Sequence, residues 1–108
     1  MEQIRLTWTL DGNSHTYTIT PEREIKIGRR LECDVVLPDP SVSRQHAAIY
    51  SDDGKFHLRN LSQVNPVNIT IKGEDSVLDY NQTTVIEPGN AFHIGPIKIE
   101  VIAVETAS

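Results

Sequence analysis

"IRLTWTLDGNSHTYTIT", residues 4–20, alternates apolar and polar side chains: Ile4, Leu6, Trp8 and Leu10 fall on one side, and Arg5, Thr7 and Thr9 on the other. That period of two is expected of a strand with one buried face, because successive side chains point to opposite faces of a sheet. Asp11-Gly12 follows, and a tight hairpin turn needs residues there that tolerate positive φ. "SHTYTIT" is therefore expected to return as the antiparallel partner, ended by Pro21.

The same signature recurs along the chain. "EIKIG" and "DVVL" read as short strands, and "HAAIYS" and "KFHLRNL" as a second hairpin around Asp52, Asp53 and Gly54. "VNITIKG" sets Val67, Ile69 and Ile71 on one side, and "TTVIEPGNAFHIGPIKIEVIAV" holds two or three strands broken by Pro88-Gly89 and Gly95-Pro96. No segment sustains a helical period. Turn signals roughly every 8 to 12 residues predict an all-β fold, an antiparallel two-sheet sandwich. At 108 residues the chain fits a single domain, 1–108, with its core over about 3–104 and residues 105–108 as a tail or the start of a linker.

Composition narrows the function. A hydrophobic fraction of 38% with 23% charged residues suits a thin, two-layer structure of half-buried strands. A net charge of -5 argues against nucleic acid as a partner, since sequence-independent binding relies on Lys and Arg neutralising many phosphates. A single small anion is still accessible to a local basic cluster, because screening confines surface fields to about 10 Å. Cys33 is the only cysteine, which excludes an internal disulfide or a zinc set of thiolates and suggests a reducing compartment. No stretch approaches the roughly 18 apolar residues of a membrane span, and "MEQIRLTWTL" lacks the form of a secretion signal. The expectation is a soluble, cytoplasmic protein that engages no membrane. His15, His57 and His93 are scattered without ligand spacing, so neither a metal nor a cofactor is expected. Glycosylation-type sequons at Asn60, Asn68 and Asn81 are read as chance matches.

Three segments between the expected strands, 28–33, 38–46 and 60–68, carry groups suited to an anion. Gly28 can free the backbone from ordinary φ limits, while the planar guanidinium of Arg29 offers a fork of donors that suits phosphate. Ser43 adds a hydroxyl and a nearby backbone N–H, and Arg44 adds positive charge. Solvated arginines in an exposed turn are the ordinary alternative. His46, three residues past Ser43 and just before an apolar strand, is placed to brace its loop through both ring nitrogens. A Ser43/His46 nucleophile pair is the enzymatic alternative, and it needs an orienting carboxylate and an oxyanion hole that the sequence does not show.

The order of these pieces carries a resemblance. Gly28-Arg29, Asp34 to Leu37, "SVSRQHA" at 41–47, "FHLRNLS" at 56–62 and Asn65 together resemble the forkhead-associated (FHA) domain over roughly residues 3–104. The resemblance implies an FHA/SMAD-like sandwich of about eleven short strands whose apical loops bind phosphothreonine in partner proteins. It points to Arg29 and Ser43 as phosphate contacts, Arg44 as a further phosphate or peptide contact, Asn65 as the holder of the peptide backbone, and His46 as structural. The expected function is a non-enzymatic module that docks its host onto a partner phosphorylated by a Ser/Thr kinase. Three departures stand out: Asn65-Pro66-Val67 replaces the family's Asn-Gly-Thr, Lys72-Gly73 replaces its second Asn-Gly, and Val64 lies where many members carry a hydroxyl. Proline cannot reproduce a turn that uses positive φ, so this loop must turn differently. Gln63 and Asn68 are candidates to compensate. The second reading is a phosphate-independent FHA-like scaffold or self-association domain.

Overall fold

The computed structural model describes residues 3–104, which form two sheets packed face to face. In chain order the strands are β1 (Ile4–Leu10), β2 (Asn13–Ile19), β3 (Ile25–Gly28), β4 (Val35–Val36), β5 (Ala47–Asp52), β6 (Lys55–Asn60), β7 (Val67–Ile71), β8 (Glu74–Leu78), β9 (Thr83–Ile86), β10 (Ala91–Ile94) and β11 (Ile97–Ala103). One sheet runs β2-β1-β11-β10-β7-β8 and the other β4-β3-β5-β6-β9. Every pairing is antiparallel except β3 with β4, where Ile27 faces Val35 in parallel register. Among the described residues, no helix is long and apolar enough to cross a membrane.

The alternating patterns bury one face of each sheet. Ile4, Leu6 and Trp8 of β1 meet the interior together with Ile27, Ile49, Leu58, Ile69, Phe92 and Ile99. Burial of that apolar surface is the main favourable term of the fold, and it also pins register, since a one-residue slip would turn each set outward. "TTVIEPGNAFHIGPIKIEVIAV" supplies three strands, β9 to β11. Residues 74–78, which show no clear alternation, form β8; only Leu78 is buried, and the rest lies exposed at the edge of its sheet. Charge at Glu74 and Asp75 suits such an edge, because it discourages pairing with a further strand.

Three hairpins close with the same two-residue turn. Asp11 and Gly12 have φ of 50° and 80°, Asp53 and Gly54 53° and 77°, and Lys72 and Gly73 51° and 79°. Positive φ at both positions matches the twist of the flanking strands. Asp tolerates this conformation, whereas lysine gains nothing locally to offset the crowding of its Cβ. Lys72→Asn is therefore expected to stabilise the domain by about 0.5–1 kcal/mol, seen as a higher urea midpoint; an unchanged midpoint would mean that the Lys72 turn stores no such strain.

Candidate functional site

The loops after β3, before β5 and after β6 meet at one end of the sandwich. Two backbone bonds zip the first two together: Arg29 N–H donates to Ser43 O at 3.1 Å and Arg30 N–H to Arg44 O at 3.3 Å. Gly28 makes this possible for a reason other than φ freedom. Its φ is not positive, but a Cβ there would stand 2.2 Å from Arg44 O, so any side chain would force the loops apart. The Cys33 thiol donates to the same carbonyl at 3.4 Å from within the fold, and burial pushes that thiol's pKa up, away from thiolate reactivity.

Arg29 is exposed, and its Nε donates to Val42 O at 3.0 Å. That bond ties the guanidinium to the second loop and leaves its terminal N–H groups open to solvent. Ser43 is half-buried, and its Oγ lies 2.6 Å from Ser62 Oγ. Arg44 is exposed, with no hydrogen bond or ion pair to its side chain among the described residues. Asn65 donates from Nδ2 to Ser41 O at 2.8 Å, tying the third loop to the second. Arg29, Ser43, Arg44 and Asn65 thus converge on one end, linked through the backbone of residues 41–44.

His46 is fully buried at 0% exposure. Ser43 N–H donates to its Nδ1 at 3.0 Å, which places the ring proton on Nε2, facing Pro66 O at 3.4 Å. Its backbone donates to Ile27 O and accepts from Leu61 N–H, both at 2.8 Å, so one residue couples β3 to the loop after β6. Because Nδ1 is occupied by an amide rather than the Ser43 hydroxyl, the imidazole does not address Ser43 Oγ as a base. Among the described residues no three metal-ligating side chains converge either. A concavity lined by Ile4, Phe56, Val85 and Ile86 lies near the β5–β6 turn, at the opposite end of β6 from the third loop.

Ser62, which sequence reasoning did not single out, is the hinge of that third loop. It is 4% exposed, and its Oγ accepts from Val64 N–H at 3.3 Å and Asn65 N–H at 3.0 Å while meeting Ser43 Oγ. No residue from 61 to 67 has positive φ, so a serine side chain makes the turn that Asn-Gly makes elsewhere. Asn60 anchors the base: fully buried, it donates from Nδ2 to Leu78 O at 2.8 Å and accepts from Ser62 N–H at 2.9 Å, which leaves no room for a glycan. Asn68, a candidate to compensate for Val64, instead points outward from β7 opposite His93. Gln63 and Val64 are exposed on the loop. The one signal that reveals Ser62 is its spacing, a hydroxyl three residues before Asn65.

The sequence profile of the FHA domain matches residues 25–95, well over half of the chain. The chain belongs to the FHA domain family. FHA domains of known structure superpose on it along nearly their whole length: one from a hypothetical protein of Arabidopsis thaliana at TM-score 0.80 and 22% identity, over 99% of this chain and 90% of that one. The FHA domain of the CT664 protein from Chlamydia trachomatis gives 0.77 and 19%, over 95% and 99%. The MEK1 FHA domain in complex with a HOP1 phosphothreonine peptide gives 0.71 and 19%, over 93% and 97%. At these identities the likeness concerns the fold. A search among curated protein sequences finds no significant match.

Burial holds the His46 pKa below the ordinary histidine value, against an opposing push from the backbone groups of Pro66 and Asn65. The unfolded chain then binds the proton first as pH falls. Stability from His46 is complete above the unfolded pKa of about 6.5 and is lost as pH drops below it and through the folded value. Acidification from neutral pH should lower the urea midpoint, and His46→Asn should flatten that dependence while lowering stability at neutral pH by about 1–3 kcal/mol. An undiminished pH dependence in the variant would assign the effect to another group. Ser62→Ala removes the acceptor of two loop amides and should cost about 1–2 kcal/mol, whereas Gln63→Ala should leave the midpoint in place.

Proposed function

We propose that this FHA domain is a phosphothreonine-dependent interaction module that docks its host protein onto a partner phosphorylated by a Ser/Thr kinase. The observation that carries the reading is the open guanidinium of Arg29, tied to the loop that bears Ser43 by Arg29 N–H to Ser43 O and by Arg29 Nε to Val42 O. The related fold that holds a phosphothreonine peptide supports the same ligand class. A phosphothreonine brings about -1.5 to -2 charges near neutral pH, and charged forks take up such oxygens through short, strong bonds. Arg44 is the second cation in this reading, and Asn65 the group that holds the peptide backbone. Ser62 braces the Ser43 hydroxyl from within the fold and does not replace the one that Val64 lacks.

Leu31 and Val64, exposed at 89% and 83%, flank the site on two of its loops. Large apolar side chains left in water at a rim are suited to cover a bound peptide. The reading requires no catalysis: among the described residues the Ser43 hydroxyl bonds to Ser62 Oγ, and His46 Nδ1 is taken by the Ser43 amide. The exposure of Val64 also favours a second reading, a phosphate-independent contact surface. Complete dephosphorylation of a captured partner separates them, since release supports the first and survival of the complex the second.

Charge-assisted hydrogen bonds contribute about 1.5–3 kcal/mol each and neutral ones about 1. Titration of a phosphothreonine peptide library should therefore show Arg29→Ala weakening binding by about tenfold or more, and Ser43→Ala by a smaller factor. Equal binding by wild type and Arg29→Ala, or no binding at all, would sink the proposal.

A further inference from the structure

Each sheet ends in two edge strands, β2 and β8 in the larger, β4 and β9 in the smaller. An edge offers a row of unpaired N–H and C=O groups to any other strand, and short strands, charge or proline keep such edges from pairing. Three of the four edges carry one of these devices. β4 has two residues and stops just before Leu37-Pro38, β9 has four and runs into Glu87-Pro88, and β8 carries Glu74 and Asp75. β2 has none of them. Its seven residues, "NSHTYTI", include no Asp, Glu, Lys, Arg or Pro, and five of them are exposed.

The β2 edge is also held in shape by the rest of the domain. It pairs with β1 in unbroken register from Asn13 with Leu10 to Ile19 with Ile4, and Tyr17 Oη donates to Asp34 Oδ1 at 3.4 Å. The two-residue turn at Asp11-Gly12 makes Leu10 and Asn13 a hydrogen-bonded pair, since such a hairpin closes with a bond from its fourth residue back to its first. Bonded and non-bonded pairs alternate from there. His15, Tyr17 and Ile19 therefore bond to β1, while Ser14, Thr16 and Thr18 turn their N–H and C=O groups away from it. Among the described residues, no backbone of another segment bonds to those three.

This edge is complementary to itself. Laid antiparallel about a two-fold axis at Thr16, two β2 strands set Thr16 against Thr16, Ser14 against Thr18 and His15 against Tyr17. All the outward-turned backbone groups of the strand then meet their counterparts, each facing pair exchanging two bonds. Hydroxyl pairs fall on one face and His15-Tyr17 ring pairs on the other, both favourable cross-strand combinations, and the paired residues bring no carboxylate, Lys or Arg to the junction. His15 already stacks on Trp8, with ring centroids 5.8 Å apart, so the ring row runs on across the axis. Moving the axis to His15 would oppose two histidines and leave Thr18 facing a turn residue.

We propose that two copies of this chain associate through β2, antiparallel about Thr16, so that the six-stranded sheet of one runs on into that of the other. Because the paired strands run in opposite directions, the apical loops of the two copies face opposite ways. On the phosphothreonine reading above, such a pair bridges two separate phosphorylated partners and does not clamp neighbouring phosphates of one short peptide.

Sedimentation equilibrium without peptide should show monomer passing to dimer as concentration rises towards about 1 mM. Thr16→Lys, which sets like charges opposite each other at the axis, should weaken association at least about fivefold. Thr16→Pro, which removes an N–H that β1 does not use, should abolish it, and Thr83→Lys on the β9 edge should leave it unchanged. Amide hydrogen exchange on wild type reads the same junction without a substitution: higher concentration should slow exchange at Ser14, Thr16 and Thr18 and leave His15 and Tyr17, bonded within the domain, as they were. A chain that stays monomeric overturns the inference, as does a dimer that Thr16→Lys leaves intact or whose added protection falls outside β2. The dimer is measured without peptide, so failure to bind any phosphothreonine peptide removes the bridging role and leaves the dimer standing.

Discussion

The apical end of this domain depends on a backbone approach that admits no side chain. The Arg44 carbonyl sits against the bare Cα of Gly28, so closely that one added carbon would meet it at 2.2 Å. Everything at the site is referred to that contact. With the loops that close, Arg29 and Arg30 reach carbonyls on the facing loop, and Arg29 Nε reaches Val42 O. Separate the loops by the width of a methyl group and those bonds are lost together, leaving two mobile segments with solvated arginines.

Behind the contact lies a buried polar chain that carries its geometry across the sandwich. Asn60 holds Ser62, Ser62 holds Ser43 and the amides of Val64 and Asn65, and His46 holds Ser43 from the other side. Each member is paired, which a buried polar group requires if it is not to destabilise the fold. His46 is the point where this chain becomes sensitive to its surroundings. Its Nδ1 must stay unprotonated to accept the Ser43 amide, so protonation would set two donors against each other at a position shut off from bulk solvent.

Much of this was legible in the sequence, for identifiable reasons. Alternation in β1 and β7, and the Asp-Gly turns at 11–12 and 53–54, report burial and backbone conformation directly through residue type. The order of Gly28-Arg29, Ser43 and His46 is distinctive enough to carry the resemblance to the FHA domain, and the profile over residues 25–95 bears the family out. β8 was hidden because an edge strand with a single inward residue, Leu78, has no face to alternate. Ser62 was hidden because a loop serine looks the same whether it hydrates or caps two amides. Asn60 read as a chance sequon match with no structural part assigned to it, although its side chain lies wholly inside. Gly28 was recognised for the wrong property, since a close approach and a positive φ leave the same letter in the sequence.

The same distinction explains why an acidic chain can present a basic site. Net charge sets the long-range field, which salt screens within about 10 Å, whereas a loop contact is decided at hydrogen-bond distance. What matters there is how many donors are held in place before the ligand arrives, because the entropy of ordering them otherwise opposes binding. Here the ordering is supplied by the fold: by a glycine that lets two loops touch, a neutral histidine that anchors one of them, and a serine that turns the third. Arg29, Arg30 and Arg44 need only extend from backbones already fixed. Replacing them by lysine would keep the charge, but lysine lacks the planar fork of donors and, at position 29, the Nε–H that bonds Val42 O on the facing loop. Position as well as charge therefore accounts for arginine at position 29.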